Sequence, residues 1–163
     1  MIYLIYFNHA DGHKGRLESI AKLLLPSFDI NTNQLIRNKQ TKPLILDNSG
    51  FISWSHTTTL GAIAISKTHA IGVDCELIRE IDFAKISDRF LPREDIKNKE
   101  SFYQKWTEKE ANCKLNNQSI WEGMSSPTLG HKYSLKIGNC MLSIVSNNKA
   151  PVVTINGAVH YEI

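Results

Sequence analysis

Asp74 and Glu76 stand two residues apart in AIGVDCEL (70–77), a stretch that otherwise reads as a buried strand. Successive side chains on a strand point to opposite faces, so Val73 and Cys75 share one face and Asp74 and Glu76 the other. Two carboxylates so spaced lie roughly 6–7 Å apart and repel unless a cation, a base or open water separates them. The plain arrangement is an edge strand with one solvated face; the chemical one is a pair of hard oxygen ligands for a divalent cation. Downstream, WTEKEANCK (106–114) sets Glu110 and Lys114 four apart, hence on one helix face, with Lys109 beside them. Alone, such a pair is ordinarily a solvated surface pair. Upstream, SWSH (53–56) ends on His56 before a Thr-rich turn, and a single histidine there serves structure more often than chemistry. Lys42-Pro43 enters LIL, where the proline by itself merely fixes an extended backbone.

Periodicity predicts the elements that must position these residues. MIYLIYFN (1–8) is rich in strand formers; KGRLESIAKLLL (14–25) places Leu17, Ile20, Ala21 and Leu24 at helical spacing and stops at Pro26. A polar connector over 31–50 leads to three short strands, FISWS (51–55), LGAIAIS (60–66) and AIGVDCEL (70–77), separated by turns. Helices are expected over DFAKISDRF (82–90), PREDI (92–96) and ESFYQKWTEKEANCKLNN (100–117), the last with an apolar stripe of Phe102, Trp106 and Cys113. The tail alternates as strands again in YSLKIG, MLSIVS, PVVTIN and AVHYEI. Strand, helix, strands, then helices and strands suggests α+β architecture in two related lobes.

The chain has 163 residues, enough for one domain or two small lobes sharing a core. Its composition, 42% hydrophobic and 21% charged, is that of an ordinary soluble globular protein. The net charge of +3 suits a small polyanion or an acidic protein partner and is too weak for nucleic acid. Its apolar runs are too short to span a bilayer, and the first residues lack the pattern of a secretion signal. Cys75, Cys113 and Cys140 are odd in number and widely spaced, as expected of buried thiols in a reducing compartment, with the cytoplasm as default.

Taken together, IGVDCE followed about 30 residues later by FYQKWTEKEANCK resembles the paired signature of the 4'-phosphopantetheinyl transferases. The family pattern is G-[IV]-D-x-E, then [FY]-x-x-W-[ST]-x-K-E-[AS]-x-x-K. It is met here by Gly72, Val73, Asp74 and Glu76, then by Trp106, Thr107, Lys109, Glu110, Ala111 and Lys114. Ser55-His56-Thr57 and Lys42-Pro43 also stand where the family has its Ser-His and Gly-Lys-Pro elements. The resemblance implies an Mg²⁺-dependent holo-[acyl-carrier-protein] synthase, with Mn²⁺ as a possible substitute. Such an enzyme moves the phosphopantetheine arm of coenzyme A to a serine of an apo acyl or peptidyl carrier protein and releases 3',5'-ADP.

By the same resemblance Asp74, Glu76 and Glu110 would hold the metal. Glu110 would be the general base and Lys114 the group that neutralises the diphosphate. Arg16, Lys42, Pro43, Ser55, His56 and Lys109 would meet coenzyme A. The implied fold has two pseudo-symmetric lobes, each a helix on a small antiparallel sheet. A shortened nucleotide-side lobe over 1–77 and a metal-bearing lobe over 78–163 would form one compact, monomeric unit, with no nucleic acid or membrane among its partners. Departures are Thr41 where the family has Gly before Lys-Pro, bulky Trp54 within the Ser-His element, and a first half of only about 70 residues before Asp74. The short first lobe leaves an alternative: a coenzyme A or nucleotide binder that has lost transfer activity.

Overall fold

A computed structural model describes residues 1–8, 16–37, 42–92, 94–124 and 126–157, with Arg16 described by its backbone alone. The chain opens with β1 (Ile2–Asn8) and α1 (Arg16–Leu24), which passes into a 3₁₀ turn over Leu25–Phe28 around Pro26. Two short pieces follow, β2 (Leu35–Ile36) and β3 (Leu44–Ile45), which pair with each other in a two-stranded sheet. Then come β4 (Phe51–His56), β5 (Leu60–Ser66) and β6 (Ile71–Leu77). The second half holds α2 (Phe83–Phe90), α3 (Lys99–Asn116) and the single-turn α4 (Ile120–Gly123). It closes with β7 (His131–Ile137), β8 (Cys140–Ser146) and β9 (Val152–Asn156).

The strands make two main sheets, β4-β5-β1-β9 and β6-β8-β7, stacked face to face. Period-two alternation sorts their side chains into layers. Ile2, Leu4, Ala62 and Ala64 of the first sheet meet Ile71, Val73, Cys75, Leu142 and Ile144 of the second in a core between the sheets. The alternate residues of the first sheet, among them Ile5, Phe7, Ile63 and Ile65, pack on Leu17, Ile20 and Ala21 of α1. The outer face of the second sheet carries α3. The order of layers is therefore helix, sheet, sheet, helix, an α+β architecture.

Three features depart from expectation. The first sheet is mixed: β9 runs parallel to β1, with Ile2 opposite Val152 and Ile5 opposite Ile155. The boundary after residue 77 does not separate the sheets, because β6 joins the second sheet and β9, from the far end of the chain, joins the first. Residues 92 and 94–96 are turn and coil rather than helix. A five-residue piece that begins at Pro92 is too short to repay helix nucleation, and Glu94 is drawn into an ion pair with Lys109 instead. The strand expected over AVHYEI (158–163) lies outside the described residues.

Local chemistry accounts for the helix ends. Asn98 accepts from the Ser101 backbone N–H, Ser101 reciprocates, and Asn117 closes α3 in the left-handed conformation. Ser119 and Glu122 form the same kind of box at α4. Within α3 the buried residues include Thr107, Glu108, Lys109 and Asn112 beside Phe102 and Ala111, so its buried surface is far more polar than the expected stripe. Thr107 bonds the Tyr103 carbonyl and lies 2.7 Å from the Ser143 hydroxyl, which pins the helix to β8. Phe102 and Trp106 meet with tilted rings and Trp106 meets Phe90 of α2 edge to face, while Cys113 packs beside Gly123 of α4. Among the described residues no helix is long and apolar enough to cross a membrane.

Candidate active site

The site is built where α3 crosses β6. Gly72, Asp74 and Glu76 share the face of β6 turned towards the helix. A Cβ placed on Gly72 would lie 1.9 Å from the Ala111 carbonyl oxygen and 2.7 Å from the Leu115 amide nitrogen. Only a glycine lets helix backbone lie against strand backbone this closely. That approach brings Glu110 and Lys114, one turn apart, over Asp74. Lys114 Nζ lies 2.7 Å from Asp74 Oδ1 and also donates to the Val73 and Trp54 carbonyls at 3.1 and 3.4 Å. Ser55, from the neighbouring β4, donates to the same Oδ1 at 2.8 Å, and the Val73 N–H donates to the Ser53 hydroxyl at 3.0 Å. The Ser-x-Ser spacing of β4 thus closes the free edge of β6.

Oxygens of Asp74, Glu76 and Glu110 all lie within 4.8 Å of one another. Asp74 is 2% exposed, and its Oδ2 is buried with no hydrogen-bond partner. Leaving a buried acceptor unpaired carries a substantial desolvation cost, more for a charged group. Burial, reinforced by the Asp74 charge, pushes the Glu76 carboxyl up to about 7 and that of Glu110 up to about 8. Lys114 also loses hydration, but the Asp74 carboxylate against it more than compensates and holds its pKa above the usual value. One ammonium among three carboxylates leaves room for a further positive charge. The donor set is all hard oxygen, supplied by a rigid strand and a rigid helix, and fits Mg²⁺ or Mn²⁺ better than a soft metal.

A pH dependence follows. A carboxyl with a higher pKa folded than unfolded binds extra protons in the folded state between the two values, so stability falls as pH rises through that window. For Glu76 and Glu110 the window runs from 4.5 to about 7 and about 8 respectively. In chelating buffer, stability is expected to drop by on the order of 1–3 kcal/mol between about pH 5 and about pH 8, after discounting for the partial exposure of Glu76. Thermal melts of the chain and of Asp74→Asn check this. The variant, lacking the charge that adds to burial in pushing both glutamates up, should show the flatter profile, and identical profiles would show that burial alone sets it.

The carboxylates open into a cleft of about 560 Å³ that Lys42, Pro43, Ser55, His56, Glu110 and Lys114 also line. Lys42 Nζ donates to the Leu115 carbonyl at 2.9 Å, tying the segment before β3 to the end of α3, and burial lowers its pKa. Ser55 stands in the cleft with its hydroxyl proton given to Asp74. Lys109 does not line the cleft. Two residues beyond Thr107 it is about 200° further round the helix, where it meets Glu94 at 3.1 Å and the Ser126 carbonyl. The Arg16 side chain and Thr41 lie outside the described residues.

Sequence reasoning missed Arg37, whose guanidinium lies 5.7 Å from the Trp54 ring centroid and faces the same cleft. The basic run Arg37, Lys39, Lys42 was the available signal. It also missed Asn117, Gln118 and Ser119, which close the end of the cleft and belong to the α3–α4 junction. Trp54 belongs to the core cluster of the first sheet and also lines the cleft, where the Arg37 guanidinium covers its ring. Compared with known proteins, the chain matches no protein-family model, and no curated protein is similar enough in sequence to count as a relative.

Proposed function

We propose that the chain is a 4'-phosphopantetheinyl transferase that moves the phosphopantetheine arm of coenzyme A to a serine of an apo carrier protein. The observation that carries this reading is the grouping of Asp74, Glu76 and Glu110, with one Asp74 oxygen, Oδ2, buried and unpartnered, in a cleft edged with cations. The ordered motif residues of β6 and α3 supply the rest of the support. On this reading the layered architecture is the two-lobed transferase fold with a reduced first lobe. The enzyme is a cytoplasmic monomer that serves acyl or peptidyl carriers.

Asp74, Glu76 and Glu110 would hold Mg²⁺ or Mn²⁺. Such an ion, when bound, draws charge off the diphosphate oxygens. Glu110 accepts the proton of the carrier serine, whose oxygen attacks the phosphorus nearer the pantetheine. The bond from that phosphorus to the bridging oxygen breaks, and its electron pair leaves on the 5'-phosphate of 3',5'-ADP. Lys114 meets that leaving charge by giving up its longest contact, the 3.4 Å bond to Trp54. Lys42, Pro43, His56 and Arg37 line the nucleotide side, while Ser55 holds Asp74 rather than the cofactor.

One observation favours a second reading, a coenzyme A binder without transfer: all three Lys114 protons are already spent on Asp74 and two carbonyls. Incubation with coenzyme A, Mg²⁺ and a panel of apo carrier proteins, followed by mass spectrometry, separates the two. A carrier mass increased by one phosphopantetheine group, and lost on chelation, is the expected result. Calorimetric binding of coenzyme A with no carrier modified would leave the second reading standing.

A further inference from the structure

We infer that Lys109 is a positioning residue, whose buried clamp to Glu94 and the Ser126 carbonyl sets the roll of α3 and so aims Glu110 into the carboxylate cluster. The inference rests on the metal-holding role proposed for that cluster. Lys109 is 4% exposed, and its ammonium is spent on an oxygen of Glu94 at 3.1 Å and on the Ser126 carbonyl. A cation so buried and so paired cannot also present itself to a phosphate without abandoning both partners. Its partners belong to different segments: Glu94 to the connection between α2 and α3, Ser126 to the connection between α4 and β7.

The clamp continues along the helix. The other Glu94 oxygen lies 3.7 Å from Lys105, one turn before Lys109, and Lys105 lies 3.3 Å from Glu108. Glu108 in turn accepts from Gln104 at 3.0 Å and from Ser134 of β7 at 3.3 Å, with Lys132 at 3.7 Å. Thr107 fastens one face of α3 to β8, and this chain of alternating charges fastens the flank beside it to β7 and to two connecting segments. Side-chain tips stand about 5–6 Å from a helix axis, so a roll of about 10° would carry the Glu110 carboxylate about 1 Å. An ion demanding near-octahedral oxygens at about 2.1 Å does not tolerate that displacement.

The test uses the full chain and Mn²⁺ alone, with bound ion followed by loss of the free-ion paramagnetic resonance signal. Lys109→Met is expected to weaken Mn²⁺ binding about 10–100-fold, the range for outer-shell supports of metal ligands. Coenzyme A binding in chelating buffer should stay within about twofold, because a support, unlike a phosphate ligand, touches no cofactor. Since Lys109→Met takes the nearer cation from the half-buried Glu94 carboxylate and risks unfolding, Glu94→Gln/Lys109→Met removes both charges together. The double variant should show about the same loss as a single one, as expected of one coupled unit. Wild-type Mn²⁺ affinity in the folded double variant overturns the clamp. A loss of metal-free coenzyme A binding in Lys109→Met makes Lys109 a ligand instead. If Mn²⁺ binds no better to the native chain than to Asp74→Asn, the reading of the cluster itself fails, and the clamp's role with it.

Discussion

Glu110→Gln is expected to abolish transfer while leaving the chain folded and, without metal at about pH 8, at least as stable as before. Glutamine matches glutamate in shape, so the contacts of α3 on β6 survive the change. It can neither accept the serine proton nor lend a full negative charge to a cation. Loss of a positioned base costs about 10²–10⁴ in rate, and loss of one of three carboxylate ligands weakens the site further. A combined fall of about 10³ or more, equivalent to about 4 kcal/mol in the barrier, is the expected magnitude. Stability should move the other way. Burial and the Asp74 charge push the Glu110 carboxyl up to about 8, so the fold loses stability as pH rises from 4.5 towards that value, and the neutral amide escapes the loss. Activity lost while stability holds or rises is the signature of a group kept for chemistry. Mass-spectrometric rate measurements and thermal melts check both halves. A near-normal rate would mean another group takes the proton, and a large fall in melting temperature would make Glu110 a structural residue.

What could be read in the chain beforehand is what local spacing encodes. β5 occupies Leu60–Ser66, the same residues its β-branched and small side chains predict, and β6 differs by one residue at its start. The acidic pair and the Glu110–Lys114 pair were legible because a period of 2 or 3.6 decides which side chains share a face. Partners across the fold were not. Nothing in PVVTIN indicates that β9 will lie parallel to β1, since that pairing joins the two ends of the chain. Ser55 looked like a nucleotide ligand because its role depends on β4 lying along β6, a fact of packing between sheets. Helical spacing shows that Lys109 points away from Thr107, but not that Glu94 waits there. Glu94 itself sits in a piece misread as helix. The polar buried face of α3 misleads an apolar-stripe reading for a related reason: Thr107 and Glu108 are matched by the hydroxyls of Ser143 and Ser134, from strands more than 25 residues downstream.

The same packing makes a single methyl group the most disruptive small change available. Gly72→Ala is expected to lower both stability and activity sharply. Its Cβ would fall 1.9 Å from the Ala111 oxygen, and reaching an ordinary contact of 3.4 Å takes a displacement of about 1.5 Å. The obstacle is helix backbone, which cannot turn aside as a side-chain end can, so α3 as a whole must lift from β6. Overpacking of this kind costs about 1–3 kcal/mol and occasionally more; with backbone on both sides the upper end applies, a drop of about 6–12 °C in the melting temperature. Lifting α3 also draws Lys114 off Asp74 and Glu110 out of the carboxylate cluster, and a misplacement of about 1 Å is enough to cost about 10²-fold in rate. Gly50→Ala supplies the comparison: its nearest clash, at 2.6 Å, is with the terminal methyl carbon of Ile30, a side-chain end, and its backbone neighbour, the Ser66 oxygen, stands off at 3.1 Å. Melting curves and transfer rates of the two variants side by side should therefore diverge, with Gly72→Ala much the worse on both. Equal, mild effects would show that α3 can stand further from β6 without consequence, and that the glycine of the strand motif does not set the geometry of the acidic cluster.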